Sequence, residues 1–271
     1  MLFDIGSGRK KRVVQVIYGA LALLFLVGFV GFGVGSEVGS GGIADIFTGN
    51  DGGDAQTQFA DDADDIEKDL EDEPRNKSLL VELIGTRYSA GNALLEVDEE
   101  TGIPQMTEDA EEQYEGVAEA WDRYLALKPG KPNTAAATYA VSTFQLLAQN
   151  AATENEADAN WNAAADAQEI LAKARPNVGT FSNLAFYSYA ALDFKRGNAA
   201  AKRAASLANN DAARKRVTRQ LTSYRKQAQA FQAQRETAEN AGDQGGPGNL
   251  PENPLSDIAG GADALSPSAA P

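Results

Sequence analysis

Cysteine and histidine are both absent from this sequence of 271 residues. Without cysteine the chain can form no disulfide, and without both residue types it has no thiolate or imidazole ligand for a metal ion. The same two absences exclude Ser-His-Asp and Cys-His catalytic units. The glycine motifs GxGxxG, GxxxxGK[ST] and GxSxG are also missing. We therefore expect no enzyme activity, no bound metal and no cofactor.

Aromatic residues are also few, at 8% of the chain, whereas alanine and glycine account for much of its apolar content. Small side chains of this kind favour closely packed helices over a sheet. The charge is one-sided, because 39 acidic residues against 24 basic ones give a net charge of -15. A protein that binds nucleic acid needs a basic surface to neutralise phosphates, so we exclude nucleic acid as a partner.

The longest uncharged run covers residues 13–36 and follows four basic residues, Arg9, Lys10, Lys11 and Arg12. As a helix this run would extend roughly 35 Å, enough to cross a hydrocarbon core of about 30 Å. Basic residues next to a span remain on the cytoplasmic side. The sequence thus predicts a single-pass protein of the cytoplasmic membrane, with its N-terminus in the cytoplasm and the remainder outside. A cleaved signal peptide is the alternative, although its apolar region is usually shorter.

Three glycines of this run, Gly28, Gly31 and Gly35, would lie on one face of the predicted membrane helix. Such a face lets two membrane helices approach closely. Glycine is also common in membrane helices for other reasons, so helix pairing and a purely compositional origin both stay open.

Composition divides the chain into five parts. Residues 1–12 form the cytoplasmic N-terminus and residues 13–36 the membrane helix. Residues 37–55, rich in glycine and aspartate, form a flexible tether. Residues 56–239 carry sustained helical patterns and form the folded domain. Residues 240–271, rich in proline, glycine and alanine, form a disordered tail.

Charge is sorted along the chain. Residues 45–73 hold twelve acidic residues and a single basic one, Lys68. Residues 195–226 hold ten basic residues and a single acidic one, Asp211. We interpret both runs as solvated helix faces, and the acidic run lacks the ligand spacing of a calcium-binding loop. The predicted basic surface consists of Arg214, Lys215, Arg219, Arg225 and Lys226.

Apolar residues recur at three- and four-residue spacing throughout the domain, which predicts an all-α architecture. Helices are predicted to end at Gly91-Asn92, Pro129-Gly130 and Gly197-Asn198. The pattern therefore predicts one helix over 181–195, another over 199–207 and a final capping helix over about 211–235. The preceding helices are predicted near 79–90, 109–127, 133–149 and 159–174.

Two segments, 114–129 and 161–176, place a small or β-branched residue twelve positions before a helix-closing proline. They resemble the second helix of a tetratricopeptide repeat. In the preceding helices a large residue follows a small or branched one by four positions, which is the packing that the repeat needs. The resemblance covers about residues 77–209 and implies a stack of antiparallel helical hairpins closed by a C-terminal helix. An unrelated helical bundle is the alternative.

Tetratricopeptide proteins bind extended or helical peptides on the concave surface formed by the first helices of their repeats. The resemblance therefore implies a peptide groove lined by Tyr88, Val141, Phe144, Gln145, Ser182, Phe186 and Tyr189. Aromatic residues at helical spacing are most often core residues, so among the aromatic residues we favour the core for Tyr88, Phe144 and Tyr189 and the groove for Phe186.

Together these features predict a bacterial, membrane-anchored module that binds other proteins outside the cytoplasm. Its plan resembles that of ancillary tetratricopeptide subunits beside the Sec translocon. This resemblance implies a chaperone-like role toward secreted or envelope proteins, within a translocon or envelope complex. A structural scaffold of the cell envelope is the second hypothesis. The third is a module that binds lipid or wall polymer through its basic C-terminal helix.

Overall fold

The computed structural model describes residues 52–97, 104–240 and 255 of the chain. In these ranges most residues are helical, which confirms the all-α architecture. The eight helices of this part of the chain are α1 (Gly52–Asp72), α2 (Lys77–Ala93), α3 (Glu108–Ala126), α4 (Thr134–Asn150), α5 (Glu154–Ala174), α6 (Val178–Ala190), α7 (Phe194–Ser206) and α8 (Asp211–Asn240). Two short strands, β1 (Glu96–Val97) and β2 (Pro104–Gln105), pair antiparallel between α2 and α3.

Polar side chains fix where many of these helices begin. The residue before the helix accepts a hydrogen bond from a backbone N–H of the first turn at Asn76, Thr107, Asn133, Thr153 and Asn177. Such a cap stabilises a helix by about 1 kcal/mol, because it satisfies a donor that has no partner inside the helix. The starts of these helices are therefore determined locally.

Consecutive helices pack as pairs, and the contacts of α2 with α3, α4 with α5, and α6 with α7 are the most extensive. Between the pairs, α4 packs against both α2 and α3, and α6 packs against α5. The long helix α8 lies against α6 and α7 at the end of this array. Its buried face carries Leu221, Ala228 and Phe231, and Val217 and Tyr224 are partly buried beside the core.

The core combines alanine with a few large rings. Ala140 of α4 and Ala185 of α6 have no exposed surface, so no larger side chain fits at these positions without moving its neighbours. The ring of Trp161 on α5 lies 6.5 Å from Phe186 and 6.3 Å from Tyr187, both on α6. These rings hold the second and third helix pairs together.

The end of α6 corrects the predicted helix boundaries. Leu192, just after this helix, has a φ of 57°, which is a left-handed conformation. The N–H of Asp193 donates to the carbonyl of Ser188 across the turn, a bond typical of helix ends of this kind. Because leucine stands at the position that glycine usually occupies, the sequence carries no glycine signal there. The prediction of one helix over 181–195 is therefore wrong, and Gly197 lies inside α7.

Gly197 makes room for a ring and does not end a helix. It is buried, and a Cβ built on it would lie 2.5 Å from Cε1 of Tyr189 on α6. The same arrangement occurs at Gly91 of α2, where a Cβ would lie 2.9 Å from Cε1 of Tyr114 on α3. In both helix pairs a tyrosine ring thus fills the space that a side chain would need.

We expect Gly197→Ala to destabilise the domain by about 1–3 kcal/mol, because the new methyl group would overlap the Tyr189 ring in a packed core. Alanine in an unobstructed helix is more stable than glycine by about 1 kcal/mol. Gly85→Ala in α2 is the matched control, since its Cβ would meet Cε2 of Tyr139 at an ordinary 3.5 Å. Chemical unfolding should therefore shift in opposite directions for the two variants. Shifts of the same sign would contradict the packing of Tyr189 on Gly197.

One partly buried carboxylate connects α1 to its neighbours. Glu67 pairs with Arg87 of α2 at 3.7 Å and with Arg123 of α3 at 2.9 Å, measured between nitrogen and oxygen. Beside this ion pair, Ala63 and Leu70 are buried on the same face of α1. The first helix is therefore attached at the α2–α3 end of the array.

The ends of the helical domain differ from the predicted boundaries. Helix α1 includes residues 52–55, which we predicted to belong to the tether. Helix α8 continues to Asn240, beyond the predicted end near Arg235. The apolar pattern fades at both ends, so it did not show where these helices begin and end.

One residue of the proline-rich tail belongs to the core. Leu255 has no exposed surface and lies in the main cluster of buried apolar residues. Composition predicted a disordered tail over 240–271, and the burial of Leu255 departs from that prediction. The tail residues on either side of Leu255 lie outside the described residues.

Among the helices in residues 52–97 and 104–240, none is long and apolar enough to cross a bilayer. The predicted span over 13–36 lies outside the described residues, so the predicted topology stays a prediction. The same holds for the residues on which orientation and membrane packing depend, which are Arg9, Lys10, Lys11, Arg12, Gly28, Gly31 and Gly35.

Candidate functional site

Most of the seven predicted groove residues are buried. Exposure is 6% or less for five of them, namely Val141, Phe144, Ser182, Phe186 and Tyr189. The other two, Tyr88 and Gln145, are partly buried. Because five of the seven side chains are buried, the seven residues do not together form an open groove.

Phe186 is the clearest departure from the prediction. We predicted that it lines a groove, but it is only 1% exposed. Its ring lies 5.3 Å from the rings of both Tyr187 and Tyr224, with an edge-on geometry in each case. Because Tyr224 belongs to α8, the last helix covers the face of α6 that we expected to be open. The groove position of Phe186 is therefore wrong, and the residue is part of the core.

The two partly buried residues have partners inside the domain. The ring of Tyr88 on α2 lies 4.9 Å from Tyr139 on α4 and 6.0 Å from Tyr114 on α3. The hydroxyl of Tyr187 on α6 donates to Oε1 of Gln145 on α4 at 2.6 Å. Both side chains therefore connect helices, in agreement with the core position that we favoured for Tyr88.

An open cleft lies instead where α6, α7 and α8 meet. Its volume is about 290 Å³. Tyr189 contributes from α6, and one face each of α7 and α8 forms the rest of the lining: Asn198, Ala201, Lys202 and Ala205, and Thr218, Leu221, Thr222 and Arg225. Residues three and four apart share a helix face, so two adjacent faces form the walls. The cleft brings together Tyr189, a predicted groove residue, and Arg225 of the predicted basic surface.

The lining of the cleft combines apolar surface with positive charge. Leu221 is buried, and Ala201 and Ala205 are partly buried. Lys202 is exposed, whereas Arg225 is partly buried, and its Nε has no hydrogen-bond partner in the part of the chain that the structure describes. Charge-assisted hydrogen bonds to carboxylates are the strongest that such cations make. The cleft therefore fits a carboxylate next to a small apolar side chain.

Tyr189 lies between α6 and α7 at one side of this cleft. Its hydroxyl donates to Oδ1 of Asn198 at 3.1 Å. Burial raises the pKa of Tyr189 above its ordinary value of 10.0, and the positive charge of Arg225 acts in the opposite direction. At neutral pH the phenol is therefore uncharged, and the charge of the cleft comes from its basic side chains.

Three phenols make the stability of the domain depend on pH in alkaline solution. Burial raises the pKa of Tyr114, Tyr139 and Tyr189. Their stabilisation is complete below about pH 10 and decreases as the pH rises further, because the unfolded chain loses these protons first. We expect the unfolding free energy in urea to fall by about 1.4 kcal/mol per pH unit for each phenol that stays protonated. Tyr114→Phe should reduce this slope, and an unchanged slope would contradict the raised pKa.

The predicted basic surface lies on α8, as expected, except at one position. Four of its residues are exposed, namely Arg214, Lys215, Arg219 and Lys226. Arg214 pairs with Asp211 of the same helix at 2.9 Å. Arg225 is instead partly buried in the cleft. The basic surface and the cleft are therefore neighbouring features of one end of the helix array.

Sequence reasoning missed the wall that α7 contributes. We assigned Gly197-Asn198 to a turn, which removed Asn198 from any helix face and separated it from Lys202. With α7 extending over Phe194–Ser206, these residues fall on one face. The three- and four-residue spacing of polar and small residues along α7 and α8 could have indicated these two faces. It could do so only once the start of α7 had been placed correctly.

Within the described ranges no group of three or more acidic residues is placed to hold a metal ion. The chain matches no protein-family model, no curated protein and no solved structure. The chemistry of the cleft and of the neighbouring basic surface is therefore the basis of the functional argument.

Proposed function

We propose that this chain is a membrane-anchored module that binds an acidic segment of a partner protein at the cleft between α7 and α8. The observation that carries this proposal is the pairing of Lys202 and Arg225 with the partly exposed apolar surface of Ala201 and Ala205 in one cleft. A carboxylate could bind the cations while an adjacent apolar side chain covers the two alanines. Such a segment gains both charge-assisted hydrogen bonds and burial of apolar area.

The paired packing of the helices supports a tetratricopeptide-like stack. Three helix pairs follow one another, and the second pair packs on the first in the manner of a repeat array. In the sequence, corresponding aromatic positions are farther apart than in the usual repeat, so we propose a variant with longer helices and loops. Helical-repeat proteins of this kind present exposed helix faces to other proteins.

The sequence before the domain supports a location outside the cytoplasm. Four basic residues precede the uncharged run over 13–36, which is the pattern of a membrane helix with its N-terminus inside. A module anchored in this way would meet secreted or envelope proteins as they leave the translocon. We therefore propose an accessory role in a translocon or envelope complex, with no enzymatic activity of its own.

Binding of a defined peptide to the full-length chain in detergent tests this proposal. The probe is a short fluorescein-labelled peptide that carries one leucine among glutamates, followed by fluorescence polarisation. The variant Lys202→Gln with Arg225→Gln should bind it at least about tenfold more weakly, because each charge-assisted hydrogen bond is worth about 1.5–3 kcal/mol. Lys131→Gln, at an exposed position in the turn before α4, is the control and should bind as the unmodified chain does.

Three further probes separate the alternatives. A peptide with lysine in place of glutamate should not bind, and equal binding of both peptides would contradict the proposal. Vesicles that contain phosphatidylglycerol test the lipid-binding hypothesis, and stronger binding to vesicles than to the acidic peptide would favour it. A photo-crosslinker at Thr222 in intact cells should capture secreted chains if the role is chaperone-like, and envelope-assembly proteins if it is a scaffold.

A further inference from the structure

Two exposed helix faces carry charge of opposite sign at the two ends of the array. The acidic stripe on α1 includes Asp61, Asp62, Asp65 and Asp72, and all four residues are exposed, as is Asp69 on the same face. The basic stripe on α8 consists of Lys215, Arg216, Arg219 and Lys226, and these four are also exposed. Helix α1 is attached to α2 and α3, whereas α8 packs on α6 and α7. The two stripes of one chain therefore do not face each other.

Most charges of both stripes lack a partner within the described residues. In the acidic stripe only Asp65 forms an ion pair, with Lys68 on the same helix at 2.7 Å. No residue of the basic stripe forms an ion pair with any carboxylate of the described ranges. By contrast, Arg196 and Arg235 on the buried sides of α7 and α8 are both paired with carboxylates of α5. The stripes are thus among the charges that the fold leaves available for a partner.

Asp61, Asp62, Asp65 and Asp72 have the same spacing along α1 as the four members of the basic stripe have along α8. In both helices the other three members lie one, four and eleven residues after the first member. At 1.5 Å per residue each stripe extends about 16 Å, and the four members lie within about 100° around the helix axis. Two parallel helices aligned by these stripes would bring each aspartate close to one lysine or arginine. Complementary patterns of this kind fix register and exclude other partners.

We propose that the basic stripe of one copy of this chain binds the acidic stripe of a second copy, head to tail. The contact is heterologous, because each copy uses a different surface, so both ends of a pair remain free to bind further copies. The inference goes beyond the proposed function: both use α8, but no residue of the basic stripe lines the cleft.

Disulfide trapping tests the proposal, because the chain has no cysteine of its own. Asp69 and Ser223 each lie eight positions after the first member of their stripe, and both are exposed. A full-length chain with Asp69→Cys is mixed with one that carries Ser223→Cys, in detergent at low salt under mild oxidation. We expect a disulfide between the two different variants, because parallel stripes bring their Cβ atoms within reach. Each variant alone should form at least about tenfold less dimer.

Three controls define the outcomes. When Gln58→Cys replaces Asp69→Cys, the cysteine lies eleven residues earlier on α1, about 16 Å along the helix axis. This variant should not crosslink to Ser223→Cys. Salt near 0.5 M should reduce the crosslink strongly, since exposed charges are then screened within a few ångströms. Lys215→Gln with Arg219→Gln in the Ser223→Cys chain should reduce it about tenfold, as expected for lost electrostatic steering.

The result that overturns the proposal is equal dimer formation by either single variant or by the displaced pair. Absence of any crosslink at low salt would overturn it as well. The same preparations are tested with the acidic peptide, so the two proposals can fail separately. Peptide binding without the crosslink would leave only the cleft function, and the crosslink without peptide binding would leave only the contact between copies.

Discussion

Phe186→Ala should reduce the unfolding free energy of the domain by about 3–5 kcal/mol. The ring is almost fully buried, and it contacts Trp161 on α5 and Tyr224 on α8. Truncation to alanine removes this apolar contact area and leaves a cavity between three helices, which cannot all move inward. Urea unfolding followed by circular dichroism measures the loss.

Two variants on the same helix serve as controls for Phe186→Ala. Leu184 is also buried, so Leu184→Ala should cost a comparable 2–5 kcal/mol or so. Phe181 is only partly buried, and its ring lies 5.9 Å below the guanidinium of Arg203. Phe181→Ala should therefore cost clearly less. If Phe186→Ala were no more destabilising than Phe181→Ala, the core position of Phe186 would be wrong and a groove position would be favoured again.

Leu255→Ala should reduce the unfolding free energy by about 2–5 kcal/mol. No surface of Leu255 is exposed, although the residue lies fifteen positions beyond the end of α8 in a stretch rich in proline and glycine. Burial of a leucine side chain stabilises by about 1.5–3 kcal/mol before any cavity is counted. Truncation of the chain after Asn240 should cost at least as much, because it removes the same buried side chain.

The control for Leu255→Ala is a variant that keeps the volume of the side chain at this position. Leu255→Met should cost less than about 1.5 kcal/mol, because a side chain of similar size fills the same space. In thermal unfolding the melting temperature should be highest for the unmodified chain, lower for Leu255→Met and lowest for Leu255→Ala. A melting temperature of Leu255→Ala equal to that of the unmodified chain would show that the tail does not contribute to the fold.

The sequence by itself determined the class of fold and some helix starts. Apolar spacing and caps such as Asn133 act within one turn of the chain, so they can be recognised without knowledge of the partners. The helix predicted from residue 159 begins instead at Glu154, after the cap of Thr153. The exposed basic face of α8 was predicted for the same reason, since a run of like charges has to be solvated. The predicted membrane span, orientation and partner class also follow from the sequence, and they stay predictions.

Only the tertiary structure decided which faces are covered. The sequence predicted a groove at Phe186 because nothing local indicates that Tyr224, almost forty positions later, lies against it. In the same way, Gly197 was assigned to a turn because its need for space comes from Tyr189 on the neighbouring helix. The burial of Leu255 in the core has no local signal at all. Helix formation depends on neighbours along the chain, whereas burial and the cleft depend on which distant faces meet.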